Sequence, residues 1–323
     1  MKHSALVFFL VCFPWLTTTG QAQEQLTLAN TPTFLTGLVT IAQDQKFYAA
    51  EDLAITIHDH PTGDEALFAV EKGEADIATV AETAFVLHRF EQPDLRVLGL
   101  IGSWDNEVRI LARRDKGIDK PEDLRGKRIG TQQRLSTYFF LDQFLLKYGL
   151  TIHEIIPVFA KAPQLAEALL TGGVDAISMR DPFISRAREQ LGENGVLFEA
   201  PGLYDKVFLL AMRRQNLVAK DEAISRLLKA LLRAEHFIRQ HPEQAREILR
   251  RAQPEAGTEL DRAWLNLRLR VWLDHRFVLT LEHVADWALR NHLVPDQPIP
   301  DFLPNLHPQP LRQLRPIAIN LLN

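Results

Sequence analysis

The sequence predicts an α/β protein made of two doubly wound lobes. Short apolar strands alternate with amphipathic helices along most of the chain, the pattern of parallel sheets covered by helices. The same turn chemistry occurs twice. Gly73-Glu74-Ala75-Asp76 and Gly172-Gly173-Val174-Asp175 each follow a helical stretch and precede an apolar strand, and an acidic residue (Glu82, Asp181) stands six positions after each aspartate. With 323 residues and 46% apolar content, the chain can bury a core in each lobe.

Residues 25–29 alternate as a strand does, Asn30-Thr31-Pro32-Thr33 ends it, and residues 35–48 have helical spacing. Residues 53–58 form a second strand, followed by a loop holding Pro61 and Gly63. The helix after it spans 64–72 and stops at Gly73, where glycine accepts the left-handed C-cap conformation. Residues 76–80 are a third strand, and Ala81-Glu82-Thr83 opens another helix. Residues 96–101 and 108–113 are strands separated by Gly102-Ser103-Trp104-Asp105-Asn106-Glu107.

The stretch 126–149 organises the second half. Residues 127–130 read as a strand and 131–134 as a loop. Ser136 or Thr137 caps a helix carrying Phe140, Leu141, Phe144, Leu145 and Tyr148 on one face, and Gly149 stops it. A helix N-terminus beyond the carboxyl end of a strand offers unpaired N–H groups and a positive dipole end, and open α/β sheets bind ligands there. Strand 154–159, helix 163–170, strand 175–179, a helix from 182 and strand 207–212 follow. Residues 221–292 are mostly helical, with Ile224, Leu227, Leu228, Leu231 and Leu232 at helical spacing. The proline-rich end from residue 295 is expected to lie irregularly on the surface.

The N-terminus reads as a secretory signal of residues 1–22: a basic start at Lys2, an apolar run over 5–16, and Gly20-Gln21-Ala22 as the cleavage site. The run is too short to span a bilayer. Cys12, the single cysteine, lies inside it, so the mature chain offers no disulfide, thiol nucleophile or cysteine metal site. Removing Lys2 leaves 36 basic against 41 acidic side chains, a charge of −5. No basic tract suggests nucleic acid. His58-Asp59-His60 has chelating spacing, but no third ligand is evident, and no metal or cofactor is expected.

The chain resembles the solute-binding proteins of ABC importers, in the nitrate/sulfonate/taurine-binding branch that includes thiamine-pyrimidine-precursor binders. Lys72-Gly73-Glu74-Ala75-Asp76-Ile77-Ala78, the segment 120–130, Leu170-Thr171-Gly172-Gly173-Val174-Asp175-Ala176, Asp181-Pro182-Phe183 and the segment 281–287 carry the likeness. It implies a type II periplasmic-binding-protein fold, two lobes joined by two hinge strands at 108–113 and 207–212, closing on a small solute. Lobe one would be 23–110 plus 209–295, lobe two 111–208, and 296–323 a tail. The resemblance implies a periplasmic monomer that delivers its solute to an inner-membrane ABC permease without catalysis. The chain departs from the family at Arg180, before the Asp-Pro pair, and at Ala81-Glu82-Thr83, and it lacks the cysteine-rich motif of the pyrimidine-precursor branch. The solute is therefore left open.

Loops at strand carboxyl ends select the candidate contacts: Thr31, Thr33, Thr62, Gly63, Glu82 and Thr83 from lobe one, Trp104 and Asn106 before a hinge strand, and Gln132, Ser136, Thr137, Arg180 and Asp181 from lobe two. Arg180 suits a carboxylate, sulfonate or phosphonate bidentately, or else pairs with Asp181 or Glu82 for structure. Asp181 is a ligand contact or an N-cap before Pro182. Glu82 receives an amine or serves as a solvated cap; with Arg180 it would suit a zwitterion. Trp104 stacks on a ligand or packs its lobe. Two other functions share the fold. One is a pyridoxal-phosphate-consuming pyrimidine-precursor synthase, which a secreted, cysteine-free chain disfavours. The other is a periplasmic sensor subunit.

Overall fold

A computed structural model describes residues 23–254 and 259–321. The expected signal lies outside the described residues. The elements run β1 (Glu24–Asn30), α1 (Gly37–Asp44), α2 (Phe47–Ala50), β2 (Leu53–Asp59), α3 (Gly63–Lys72), β3 (Ile77–Ala81), α4 (Glu82–Glu91), β4 (Leu95–Asp105) and β5 (Val108–Arg113). Then come β6 (Arg128–Thr131), α5 (Ser136–Lys147), β7 (Ile156–Phe159), α6 (Ala162–Thr171), β8 (Ala176–Arg180), α7 (Phe183–Leu191), β9 (Gly195–Phe198) and β10 (Asp205–Arg213). The last part holds α8 (Asp221–Gln240), α9 (Pro242–Ala252), α10 (Glu259–Ala263), β11 (Leu267–Arg268), β12 (Leu273–Asp274), α11 (His275–Arg290), α12 (Gln309–Leu314) and β13 (Ile319–Asn320).

Two main sheets form, in the orders β11-β4-β10-β3-β1-β2 and β7-β6-β8-β5-β9. In each, the strand by which the chain arrives from the other sheet runs antiparallel to its neighbours: β5 against β8 and β9, β10 against β3 and β4. The triplets β2-β1-β3 and β7-β6-β8 are parallel. The expected hinge strands thus each lie wholly within one sheet. The chain crosses just outside them, between β4 and β5 and through residues 199–204 between β9 and β10.

The repeat read from the sequence has one physical job in both sheets. Asp76 accepts the Thr27 N–H at 2.9 Å and returns its own N–H to the Thr27 carbonyl at 2.9 Å. Asp175 does the same with Arg128, at 2.8 and 2.8 Å. Each aspartate locks the start of one parallel strand to the start of its neighbour. The glycines that let the chain reach this position are left-handed, Gly73 at φ +78° and Gly172 at φ +80°.

The core runs from the first sheet into the second. Trp287 of α11 is fully buried, with ring centroids 5.5 Å from Tyr138 and 5.4 Å from Phe139, both on α5. A smaller cluster built on Leu111, Leu165, Leu169 and Ile177 lies under α6 and α7.

The proline-rich end is not a surface tail. Phe302 and Leu311 are fully buried, and the Asn305 side chain donates to the Leu95 carbonyl at 2.7 Å and accepts from Arg89 at 2.7 Å. The prolines break every helix in this segment to a turn or two. No long periodicity therefore marks its apolar residues as core.

Gly102 sits where β4 passes the turn 34–36. A Cβ there would collide with the Leu35 carbonyl oxygen, with the carbonyl carbon 3.0 Å away. Backbone cannot rotate aside as a side chain can. Gly102→Ala is expected to lower stability by about 1–3 kcal/mol in urea unfolding; a variant as stable as the parent would contradict this packing.

Candidate ligand-binding site

A cavity of about 380 Å³ lies between the two sheets at the carboxyl ends of their parallel strands. Thr31 and Thr33 follow β1, and Pro61, Thr62, Gly63 and Glu65 follow β2. Ala81, Thr83 and Ala84 come from the end of β3 and the start of α4. Gln132, Leu135, Ser136 and Thr137 follow β6, Lys161, Ala162 and Pro163 follow β7, and Arg180 and Phe183 follow β8. Lys206 and Phe208 of β10 complete the wall.

Five helices, α3 to α7, therefore begin at one cavity. The first N–H groups of a helix have no intrahelical acceptor, and its N-terminus carries about half a positive charge. Thr62 caps α3 by accepting from Glu65 N–H at 3.3 Å. Ser136 and Thr137 are not caps; α5 begins at Ser136 after Leu135. The Thr137 hydroxyl instead accepts from Gln132 N–H at 3.4 Å and meets Thr131 Oγ1 at 3.3 Å, holding the loop to its own helix.

Two polar groups face the cavity with their capacity unspent. Thr83 is 1% exposed, and its hydroxyl has no hydrogen-bond partner. Arg180 makes no ion pair among the described residues. Its guanidinium donates to the Asp181 carbonyl at 3.3 Å and lies 5.9 Å from the centre of the Phe183 ring. Lys161 adds a second cation, and Glu65 is the carboxylate in the wall.

Of the residues selected from sequence, Thr31, Thr33, Thr62, Gly63, Thr83, Gln132, Ser136, Thr137 and Arg180 line the cavity. The other four do not. Glu82 is fully buried behind it, accepting from the Tyr204 hydroxyl and, at 2.9 Å, from Val207 N–H. Asp181 is buried against Arg109 and accepts Ser185 N–H at 2.8 Å, so it is an ion-pair partner and helix cap. Asn106 serves the first crossing, with φ +64° and its side chain accepting from Ala200 N–H at 3.1 Å. Trp104 packs on Phe34 in an adjoining hollow. Sequence reasoning missed Lys161, Lys206, Phe183 and Glu65. Lys161 and Phe183 follow strand ends and were open to the same rule, whereas Lys206 reaches the cavity only because β10 runs antiparallel.

The match to known proteins agrees with this arrangement. The family model described as NMT1/THI5-like matches residues 35–245. The chain belongs to the NMT1/THI5-like family. It is 24% identical over 221 residues to a Brucella abortus protein named as a binding protein, the match covering 66% of this chain. The chain spans 66% of that relative's length. The structure superposes on the alkanesulfonate-binding protein SsuA from Xanthomonas axonopodis pv. citri, bound to MOPS, with TM-score 0.73 and 19% identity, over 88% of this chain and 98% of that one. It also superposes on the enzyme DszB in complex with biphenyl-2-sulfinic acid, with TM-score 0.61 and 16% identity, over 90% of this chain and 98% of that one. The fold is that of the periplasmic binding proteins, as the sequence predicts.

In this NMT1/THI5-like chain, ion pairs behind the cavity fix the crossings. Lys206 Nζ lies 2.9 Å from Glu107 with both side chains buried, and Asp105 accepts Gly202 N–H at 2.9 Å. Burial pushes the Glu82 carboxyl from 4.5 up to about 7, although the Tyr204 hydroxyl, Val207 N–H and Lys206 charge all pull it down. Burial, reinforced by the Asp181 and Glu107 charges, raises Glu259 to about 8.

A carboxyl whose folded pKa is raised holds its proton more tightly in the native state. Its contribution is full below the unfolded value and is lost as pH rises through the folded one. Stability is therefore expected to fall between pH 4.5 and 7 by up to about 3 kcal/mol on account of Glu82. Urea unfolding across pH 5–8 should show a shallower decline in Glu82→Gln, with the Glu259 share remaining. Parallel curves for the two proteins would remove Glu82 as the cause.

Proposed function

We propose that this protein is a periplasmic solute-binding protein that captures a small organic anion or zwitterion of the sulfonate, taurine or nitrate kind and hands it to an ABC permease without altering it. The lobes would be 23–110 with 209–295 and 111–208, closing about the crossings at 105–107 and 199–204. The signal at residues 1–22 would deliver the protein to the periplasm as a monomer.

The observation that carries this reading is Arg180, a guanidinium without a carboxylate partner in a wall where five helices begin. A cation left unpaired in a cavity, supported by helix N-termini, is arranged for an anion. The orphaned Thr83 hydroxyl supplies a donor for one of its oxygens. A sulfonate suits this site better than a monodentate anion, since its three oxygens can engage the planar fork and hydroxyl together. The SsuA and DszB complexes each hold a sulfur oxyacid on this fold, which favours the same class.

Calorimetric titration of residues 23–323 with short alkanesulfonates is expected to show binding. Arg180→Ala should weaken it by about 10- to 150-fold, as removal of a charge-assisted hydrogen bond worth about 1.5–3 kcal/mol does. Thr83→Val should weaken binding about tenfold while leaving the unliganded protein as stable or more so, because the hydroxyl has no partner there. Unchanged affinity in Arg180→Ala would sink the assignment. Recovery of a chemically altered sulfonate would make the protein an enzyme.

A further inference from the structure

The cleft continues past Arg180 into a rear chamber of about 250 Å³ that shares Thr33 and Arg180 with the front cavity. One side is aromatic, Phe34 and Trp104 at 6.4 Å between ring centroids. Three carboxyl groups, Glu107, Asp181 and Glu259, line the rest together with Pro182. Two of these are already paired. Glu107 holds Lys206 at 2.9 Å, and Asp181 holds Arg109 and, at 3.4 Å, Arg262.

Glu259 is different. It is 7% exposed, and its carboxyl makes no hydrogen bond or ion pair among the described residues. A buried carboxyl without a partner carries a large desolvation cost unless it is protonated or meets a cation. Arg180 and Arg109 act on it favourably, while Asp181 and Glu107 oppose it. Arg109 is committed to Asp181. Once an anion occupies Arg180, Glu259 is left without a counter-charge. A ligand that brings its own cation restores the balance.

Resting on the anion site proposed above, we infer that the solute is a zwitterionic sulfonate whose protonated amine, carried on a ring or short chain, enters the rear chamber and donates to Glu259. Its carbon frame lies against Trp104 and Phe34, whose ring faces also attract a cation. At about 30 Å³ per water-sized group, the chamber accepts about eight non-hydrogen atoms, enough for a six-membered ring. The acid that complements Arg180 is thus Glu259 rather than Glu82. This fits the placement of Glu82 behind the wall, spent on Tyr204 and Val207.

The test uses three probes at neutral pH: ethanesulfonate, 3-cyclohexylpropanesulfonate and 3-piperidinopropanesulfonate, the last protonated at nitrogen. Wild type should bind the piperidinium probe at least tenfold more tightly than the cyclohexyl one. Glu259→Gln should cut that preference below threefold while holding the cyclohexyl affinity within threefold of wild type. Trp104→Leu should weaken both ring probes and leave ethanesulfonate unchanged. Equal affinities for the two ring probes in wild type, or a preference that survives Glu259→Gln, would overturn the inference. If ethanesulfonate binds without ring discrimination, only the rear-chamber inference falls. If none of the three binds, the sulfonate reading falls with it.

Discussion

The buried pair of Lys206 and Glu107 sits where the chain passes between its sheets, and the cavity depends on it. Glu107 leads into β5 of the second sheet, and Lys206 belongs to β10 of the first. Both charges are out of water, so either alone would cost several kcal/mol, and each is tolerated because the other is there. The pair ties the two crossings side by side. Asp105 and Asn106, which hold the backbone of residues 202 and 200, complete the tie. Relative to this fixed edge, the strand ends of both sheets face a common space.

The surrounding polar groups divide by whether their bonds are spent. Glu82, Asp181, Thr137 and Asn106 are spent on backbone amides or on an internal partner. Thr83, Arg180 and Glu259 are buried or half-buried at the wall with capacity left over. A folded chain tolerates such groups at a cost, and a ligand recovers it. This unspent capacity, rather than the chemical type of a side chain, separates groups that support the site from those that face it. Glu82 and Asp181 are equivalent acids in the two halves of the repeat, and both turned out to be supports.

Much of this was legible in the sequence. Apolar periodicity placed the strands and helices, and the Gly-x-x-Asp turns marked the two equivalent units because glycine C-caps and strand-locking aspartates are local devices. The rule that ligands gather at strand carboxyl ends found most of the wall. It failed where a residue's use depends on a distant element. Glu82 is consumed by Tyr204 and Val207 of the returning chain, and Asp181 by Arg109 of β5, more than 70 positions away in sequence. The C-terminal prolines concealed a segment that supplies Phe302 and Leu311 to the core.

By itself the sequence determined the fold class, the family likeness and the presence of an arginine at a strand end. Periodicity, turn chemistry and short motifs are properties of neighbouring residues, and those survive in a one-dimensional string. Only the tertiary structure decided that Arg180 stays unpaired, that Thr83 lacks a partner, that Lys206 enters from an antiparallel strand and that Glu259 stands in a second chamber behind the first. Each of these is a statement about which partner a buried group meets. The partner is chosen by how the two sheets pack, not by the residues on either side.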